Sequence, residues 1–180
     1  MIPTIKIYTD GSCHTQQCGG AWVAIVFIDG LKYIISGAEN NTTHNRMELL
    51  AVIKALEFIL DKHGDATLIE VISDSQYVVG LLGRKHKFEA LDYNTKKGNP
   101  IRNVDLVQQL LSLVTKLNVS FTKIKAHQQK TLETQYNIEA DLLCRKLVRD
   151  TCYTNVCSKR CNRIRTNTLV IADRCSICFL

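Results

Sequence analysis

Four acidic residues stand where the sequence pattern predicts that a strand ends or a helix begins: Asp10, Glu48, Asp74 and Asp141. Carboxylates gathered in one pocket repel one another, so some of them take up protons unless a cation neutralises the site. Hard oxygen ligands in a hydrated cleft suit Mg²⁺ or Mn²⁺. If the fold brings these acids together, they form a candidate site for divalent metal ions.

Each acid also has a purely structural explanation when it is considered alone. Asp10 can cap a turn with the glycine that follows it, and Asp74 can cap the next helix. Glu48 is favoured near a helix start by the helix dipole. Asp141 can pair with Arg145 one turn later, a contact worth roughly 0.3–0.5 kcal/mol. Their joint placement favours the metal site, because strands ending in Asp10 and Asp74 are expected to be neighbours.

The periodicity of the apolar residues predicts the elements that must position these acids. Alternating or continuous apolar runs predict strands at 5–12, 20–28, 31–37, 67–73 and 119–125. Helical spacing predicts helices at about 45–60, from 75, at about 104–114 and at about 137–148. Asp29-Gly30 between two strands is typical of a hairpin. The predicted fold class is α/β: a mixed five-stranded sheet, its first three strands an antiparallel meander, flanked by helices.

The composition is that of a globular protein, with 46% hydrophobic and 22% charged residues in a chain of 180. No apolar run is long enough to cross a bilayer, and the N-terminal residues lack the pattern of a secretory signal. We therefore expect a cytoplasmic protein, and we expect a monomer.

The net charge of +6 is unevenly distributed along the chain. Residues 84–102 carry six Lys or Arg against two acids, and residues 151–180 carry five against one. Two basic segments on a nearly neutral body are common in proteins that contact phosphates. We interpret the first segment as a protruding loop or a short helix.

Six segments occur in the order and spacing of a known family. They resemble the motif blocks of type 1 ribonuclease H, which includes bacterial ribonuclease HI, through about residue 149: Tyr8–Ser12, Thr43–Ala51, Ser73–Val78, Asn103–Leu106, Lys125–His127 and Asn137–Asp141. The resemblance implies a ribonuclease H-like fold and an endonuclease that hydrolyses the RNA strand of RNA–DNA hybrids. The alternatives are a nuclease of the wider superfamily that acts on DNA and a hybrid-binding module without catalysis.

The resemblance also implies a role for each acid. Asp10 would bridge two Mg²⁺ ions, for which Mn²⁺ can substitute, while Glu48 and Asp74 would bind one ion and Asp141 the other. One ion activates a water for in-line attack and the second stabilises the departing 3′ oxygen, which leaves 5′-phosphate and 3′-hydroxyl ends. His127 would move a proton or help the product leave, since a histidine titrates near neutrality. Without the flanking match, His127 is an exposed loop histidine.

The implied substrate contacts distinguish RNA from DNA by the 2′-hydroxyl. The positions that match minor-groove contacts are Asn45, Gln76 and the backbone of Gly11, Ser12 and Cys13. Thr43 and Asn103 match positions that hold a phosphate of the DNA strand, and Asn137 is a further candidate for substrate contact. Helix capping is the alternative for Thr43 and Asn45. Segment 84–102 corresponds to the hybrid-binding protrusion but lacks its usual tryptophans, which favours attraction by charge over stacking.

Residues 151–180 have no counterpart in the resemblance. We therefore predict a catalytic domain at 1–150 followed by a Cys-rich basic tail at 151–180. Four thiolates could bind a structural Zn²⁺ there, from Cys157, Cys161, Cys175 and Cys178. A poorly ordered tail with free thiols is the favoured alternative, because short termini are disordered unless they are tied down.

Overall fold

The computed structural model describes residues 4–14, 19–63, 68–125, 131, 134–158 and 169–173 of the chain. The strands are β1 Thr4–His14, β2 Gly19–Ile28, β3 Leu31–Asn40, β4 Leu68–Ser73, β5 Asn118–Lys123 and β6 Leu169–Asp173. The helices are α1 His44–His63, α2 Gln76–Leu82, α3 Lys85–Ala90, α4 Val104–Lys116 and α5 Gln135–Ser158. The helices in the described ranges include none that is long and apolar enough to span a membrane.

The strands form one mixed sheet in the order β5-β4-β1-β2-β3-β6. β1, β2 and β3 pair antiparallel, and β1 pairs parallel with β4, which pairs parallel with β5. Asp29 and Gly30 both have positive φ, at 50° and 76°, as a two-residue hairpin requires. The predicted five-stranded sheet and its antiparallel meander are therefore confirmed.

Strand β6 is an addition that the sequence did not predict. It pairs antiparallel with β3, for example at Tyr33 and Ala172, and lies in the segment for which a disordered tail was favoured. Helix α5 also continues to Ser158, beyond the predicted end near residue 148. The proposed boundary near Asp150 thus falls within a helix, and the division into a catalytic domain and a tail stays a prediction.

The sheet carries a hydrophobic core on each face. Alternation along β1 sends Ile5 and Ile7 to the face covered by α1 and α4, and Tyr8 to the face covered by α5. Helix α1 is apolar on both sides because it lies between the sheet and α4, and its largest fully buried side chains are Met47, Leu49, Ile53, Leu56 and Ile59. Helices α1 and α5, which carry the candidate acids Glu48 and Asp141, therefore pack on opposite faces of the sheet.

The edge of the parallel pair β1–β4 determines where the first acids lie. The last residues in parallel register are Thr9 and Ser73, so Asp10 and Asp74 follow as the next residue on each chain segment. The strand predicted at 5–12, with Asp10 where it stops, is longer than predicted, because β2 continues to pair with β1 as far as His14. Asp10 is thus held inside a strand, opposite Val23, while β4 has already ended.

Gly11 marks a direct contact between the backbones of β1 and α1. A Cβ at this position would lie 2.3 Å from the backbone nitrogen of Glu48 and 2.5 Å from the carbonyl carbon of Met47. Because backbone atoms cannot rotate away, only glycine permits this approach. The contact brings Asp10 and Glu48, the neighbours of these atoms, to the same place.

The Gly11→Ala substitution tests this contact. We expect it to lower the free energy of unfolding by roughly 1–3 kcal/mol, since α1 must move away from β1. Gly83→Ala is the matched control, because a Cβ there meets nothing within 4 Å and its φ is −65°. Chemical denaturation measures both variants. Equal stability of the two would contradict the close approach.

Candidate active site

Three of the predicted acids form a compact cluster at the carboxyl edge of β1 and β4. Carboxylate oxygens of Asp10, Glu48 and Asp74 all lie within 4.8 Å of one another. Asp10 comes from β1, Glu48 from the second turn of α1, and Asp74 from the residue after β4. The residues Asp10 and Glu48 are only 7% and 4% exposed. The fold therefore brings together acids that are far apart in sequence.

The fourth acid, Asp141, borders the same cavity but stands outside this cluster among the described residues. The cavity has a volume of about 610 Å³, and its lining includes the three clustered acids with His44, Asn45, Gln76, Tyr77, Asn137, Asp141 and Arg145. Asp141 lies in the second turn of α5, since this helix begins at Gln135 rather than near residue 137. Its Oδ1 accepts a hydrogen bond from Arg145 Nε at 2.7 Å.

Burial of the cluster shifts its protonation. Burial raises the pKa of Glu48 to about 9, and the charges of Asp10 and Asp74 add to the rise. Burial also raises the pKa of Asp10 to about 6, with a partly opposing hydrogen bond from Cys144 and further increases from Asp141 and Asp74. At neutral pH, Glu48 therefore carries a proton when no cation neutralises the cluster.

The donor atoms fit a divalent cation. Asp10 Oδ2 and Glu48 Oε2 are buried oxygens that have no hydrogen-bond partner within the described residues. Unpaired buried carboxylate oxygens are costly, and a hard cation satisfies them. The cluster offers such an ion three carboxylates beside a cavity large enough for its water ligands. The residues present thus suit Mg²⁺ or Mn²⁺.

Other residues cap the helices near the acids, which bears on the structural alternatives. Thr43 Oγ1 accepts a hydrogen bond from the Arg46 backbone nitrogen at 3.4 Å, so Thr43 caps α1 as the alternative reading proposed. Ser75, and not Asp74, is the N-cap of α2, with its hydroxyl accepting from the Val78 backbone nitrogen. Asp74 is therefore not occupied by the capping role that we considered for it.

The structure reveals roles for two residues at the start of α1 that the sequence analysis missed. His44 Nε2 lies 3.5 Å from Glu48 Oε1, and this histidine is 63% exposed at the cavity. Their spacing of four residues on a helix was the available signal. Arg46 donates from Nε to Glu39 Oε2 at 3.2 Å and from Nη1 to Asp105 Oδ2 at 2.9 Å, which joins α1 to β3 and α4.

These ion pairs shift the pKa values of their partners. The hydrogen bond to Asp105 raises the pKa of Arg46, although burial opposes the shift. At Asp105, burial is the largest single influence and raises the pKa, but the hydrogen bond from Arg46, the backbone N–H groups of Leu106 and Asp105 and the charge of Arg46 together lower the pKa of that carboxyl. Arg46 thus fixes the start of α1, two residues before Glu48, against two other elements.

A second cavity of about 480 Å³ adjoins the start of α1 and is lined by Thr43, Asn45, Arg102 and Asn103. Asn103 has φ 55° in the left-handed region and its side chain makes no capping hydrogen bond to α4. Two predicted phosphate-contacting residues, Thr43 and Asn103, therefore meet at one cavity. Asn45 borders both cavities.

The thiol of Cys144 lies beneath the cluster. It donates to the carbonyl of Ala21 at 3.1 Å and to the carbonyl of Asp10 at 3.8 Å, and burial raises the pKa of the thiol. Cys13 donates its thiol to the carbonyl of Thr42 at 3.4 Å. Both cysteines tie the active-site strand β1 to neighbouring segments.

The remaining predicted residues fall into two groups. Gly11, Ser12 and Cys13 follow Asp10 on β1, Gln76 opens α2 at the cavity, and the buried Asn137 has no hydrogen-bond partner for its Oδ1 within the described residues. His127 and the side chains predicted to bind zinc lie outside the described residues: Cys157, Cys161, Cys175 and Cys178.

The raised pKa of Glu48 gives a prediction about stability in the presence of a chelator. A carboxyl whose pKa is higher in the folded state stabilises the fold most below its ordinary value of 4.5, and this stability is lost as the pH rises towards about 9. We expect Glu48→Gln to be more stable than the native chain at pH 9, by on the order of 2 kcal/mol, because it removes a buried charge.

Denaturation at pH 5 and pH 9 measures this difference. The exposed Glu89→Gln on α3 is the control and should follow the native chain at both pH values. A native chain whose stability is the same at both values, with no advantage for Glu48→Gln at pH 9, would contradict the burial of this charge.

Sequence comparison relates the chain to known proteins. The RNase H family model matches residues 3–149. The Ribonuclease H of Caldicellulosiruptor saccharolyticus is 33% identical over 148 residues, which cover 81% of this chain and 97% of that protein. The Ribonuclease H of Prosthecochloris aestuarii is 35% identical over 152 residues, which cover 83% of this chain and 99% of that protein.

Solved structures with a similar fold include a ribonuclease H. LC9-RNase H1, a type 1 RNase H with the type 2 active-site motif, aligns with a TM-score of 0.68 and 23% identity, over 83% of this chain and 74% of that chain. The foamy viral protease-reverse transcriptase in complex with RNA/DNA hybrid aligns with a TM-score of 0.60 and 13% identity, over 81% of this chain and 20% of that chain. Since the family match spans most of the sequence, the chain belongs to the ribonuclease H family of endoribonucleases.

Proposed function

We propose that this protein hydrolyses the RNA strand of RNA–DNA hybrids with two divalent metal ions held by Asp10, Glu48, Asp74 and Asp141, leaving 5′-phosphate and 3′-hydroxyl ends. The observation that carries the proposal is the cluster of three carboxylates within 4.8 Å at the edge of two parallel strands. This cluster lies in a chain whose family relatives are named Ribonuclease H. The buried, unpaired oxygens of Asp10 and Glu48 support a role as metal ligands.

The bound ions would supply an activated water and would neutralise the charge that develops on the leaving oxygen. The protein positions the reaction through its carboxylates. Asp10, Glu48 and Asp74 form the cluster, and Asp141 lines the same cavity. Attack of a water molecule on the phosphorus would form a new P–O bond and break the bond between the phosphorus and the 3′ oxygen. The attacking water gives up a proton, and the 3′ oxygen takes up a proton and leaves as a hydroxyl. His127 is proposed to transfer a proton or to help the product leave.

The cavity offers polar groups that suit recognition of a 2′-hydroxyl. Asn45 and Gln76 border the acids on helices α1 and α2, and both carry amide groups that donate and accept hydrogen bonds. The backbone of Gly11, Ser12 and Cys13 continues the same edge. We propose that Asn45, Gln76 and this backbone read the RNA strand beside the scissile phosphate, because the 2′-hydroxyl separates RNA from DNA.

The second cavity and the basic segment suit the DNA strand. Thr43, Asn103 and Arg102 offer a hydroxyl, an amide and a guanidinium within one cavity, a combination that suits a phosphate. Segment 84–102 adds exposed lysines around α3. Asn137, buried at the first cavity, is a further proposed contact. The foamy viral protease-reverse transcriptase, which shares this fold, was solved in complex with RNA/DNA hybrid, and this supports the substrate class.

Other expectations from the sequence remain proposals. These are the choice of Mg²⁺ over Mn²⁺, a cytoplasmic location, a monomeric state and the tail at 151–180, with or without Zn²⁺.

A cleavage assay that compares the native chain with the Asp10→Asn variant tests the proposed function. With Mg²⁺ and a hybrid labelled on each strand, we expect the native chain to cut only the RNA strand, and Asp10→Asn to lose at least about 100-fold in rate while still binding the hybrid. Asp61→Asn, an exposed acid near the far end of α1, is the matched control and should keep the native rate.

The same assay can also contradict the proposed function. Equal cutting of both strands, or cutting of duplex DNA, would indicate a DNA-directed nuclease instead. Full activity of Asp10→Asn would exclude the proposed site.

The phosphate cavity is tested by Asn103→Gly. Glycine keeps the left-handed backbone of this N-cap, so only the amide side chain is lost. We expect the KM for the hybrid to rise roughly tenfold or more while kcat stays near the native value, because a hydrogen bond to a charged phosphate is removed. Asn118→Gly, at the exposed start of β5, should leave KM unchanged. An unchanged KM for Asn103→Gly would remove Asn103 from the contact set.

A further inference from the structure

The position of Asp141 differs from that of the other acids in one respect. Among the described residues, Asp10, Glu48 and Asp74 have oxygens within metal-sharing distance of one another, whereas Asp141 is outside that group. Asp141 nevertheless faces the same cavity, and its charge raises the pKa of Asp10. Its carboxylate is therefore near the cluster without being part of it.

The contact that Asp141 makes instead is an ion pair with Arg145. The guanidinium Nε lies 2.7 Å from Asp141 Oδ1, one helical turn along α5. The side chains are 48% exposed for Arg145 and 27% exposed for Asp141. Arg145 also borders the cavity, and its charge reaches Asp10. A pair this exposed is weak and can exchange for another partner.

A cation and a guanidinium compete for the same carboxylate. Asp141 Oδ1 accepts its hydrogen bond from Arg145, and an ion bound on that oxygen would lie against the positively charged guanidinium, which repels it. Because helix α5 is packed on the sheet through Ala140 and Cys144, the backbone at Asp141 is fixed. Exchange of partners must then occur through side-chain rotation.

From this geometry we infer that Arg145 is a positioning residue that holds Asp141 outside the three-acid cluster until a second divalent cation takes its place. The inference rests on the proposed function, since it requires a second ion beside Asp141. The first ion meets three preassembled carboxylates. The second ion must displace Arg145 and therefore binds more weakly. The released guanidinium remains at the cavity, where a phosphate of the substrate is an alternative partner.

Titration of the metal-free protein with Mn²⁺, without hybrid, tests this inference by calorimetry. We expect Arg145→Gln to tighten the weaker Mn²⁺ site by about two- to fivefold, the range of an exposed ion pair. Lys146→Gln removes the same charge from the exposed neighbouring position on α5 and is the matched control. It should change the weaker site less than Arg145→Gln does.

A double-substitution cycle separates release of Asp141 from a general effect of charge. In an Asp141→Asn background, Arg145→Gln should no longer tighten Mn²⁺ binding, because the carboxylate that it freed is gone. Tightening that persists in this background would overturn the inference, since removal of a positive charge alone would then explain it. An Arg145→Gln protein that binds Mn²⁺ as the native chain does would also overturn it.

The experiments distinguish failure of the proposed function from failure of the role assigned to Arg145. A native chain that neither binds Mn²⁺ nor cuts the hybrid overturns both proposals. A native chain that cuts the hybrid while Arg145→Gln leaves Mn²⁺ binding unchanged overturns the role of Arg145 alone. Thermal unfolding of each variant confirms that the binding experiment uses folded protein.

Discussion

The close approach of β1 to α1 at Gly11 is the constraint on which the active site depends. Without a side chain at Gly11, the backbone of β1 reaches the backbone of Glu48, and two carboxylates become buried side by side. Their burial raises the pKa values of both Asp10 and Glu48, so the cluster needs a proton wherever no cation neutralises it. A divalent cation would offset the cost of burying two negative charges. The packing of the fold therefore favours a site that binds a metal ion.

The other elements complete the site around this contact. Parallel pairing of β1 with β4 ends one residue before Asp10 and Asp74, and it thereby places the third acid of the cluster beside the first two. Arg46 anchors the start of α1 to β3 and α4. Helix α5 approaches from the opposite face of the sheet and supplies Asp141 together with its partner Arg145. The two faces of the sheet therefore contribute unequal parts: a compact cluster of three acids, and a fourth acid that is paired with an arginine.

Much of this arrangement could be predicted from the sequence, because it depends on local periodicity. Apolar alternation located β1 and β4, and right-handed crossover logic made Asp10 and Asp74 neighbours. The continuation of β1 to His14 could not be predicted, since it depends on pairing with β2. The network of Arg46 depends on side-chain contacts between distant parts of the chain, and the pairing of β6 with β3 depends on backbone pairing between distant segments. The ion pair of Asp141 with Arg145 could be predicted from their spacing on α5, but the position of Asp141 outside the cluster could not.

The most direct test of the central claim is a count of the protons released when Mg²⁺ binds. Calorimetric titrations at pH 7.5, in buffers with different ionisation enthalpies, give this number for the native chain. With the pKa of Glu48 at about 9 and that of Asp10 at about 6, binding should release close to one proton per chain, and Glu48→Gln should release almost none. If the native chain binds Mg²⁺ without releasing a proton, the claim that the cation replaces a proton on the buried carboxylates is contradicted.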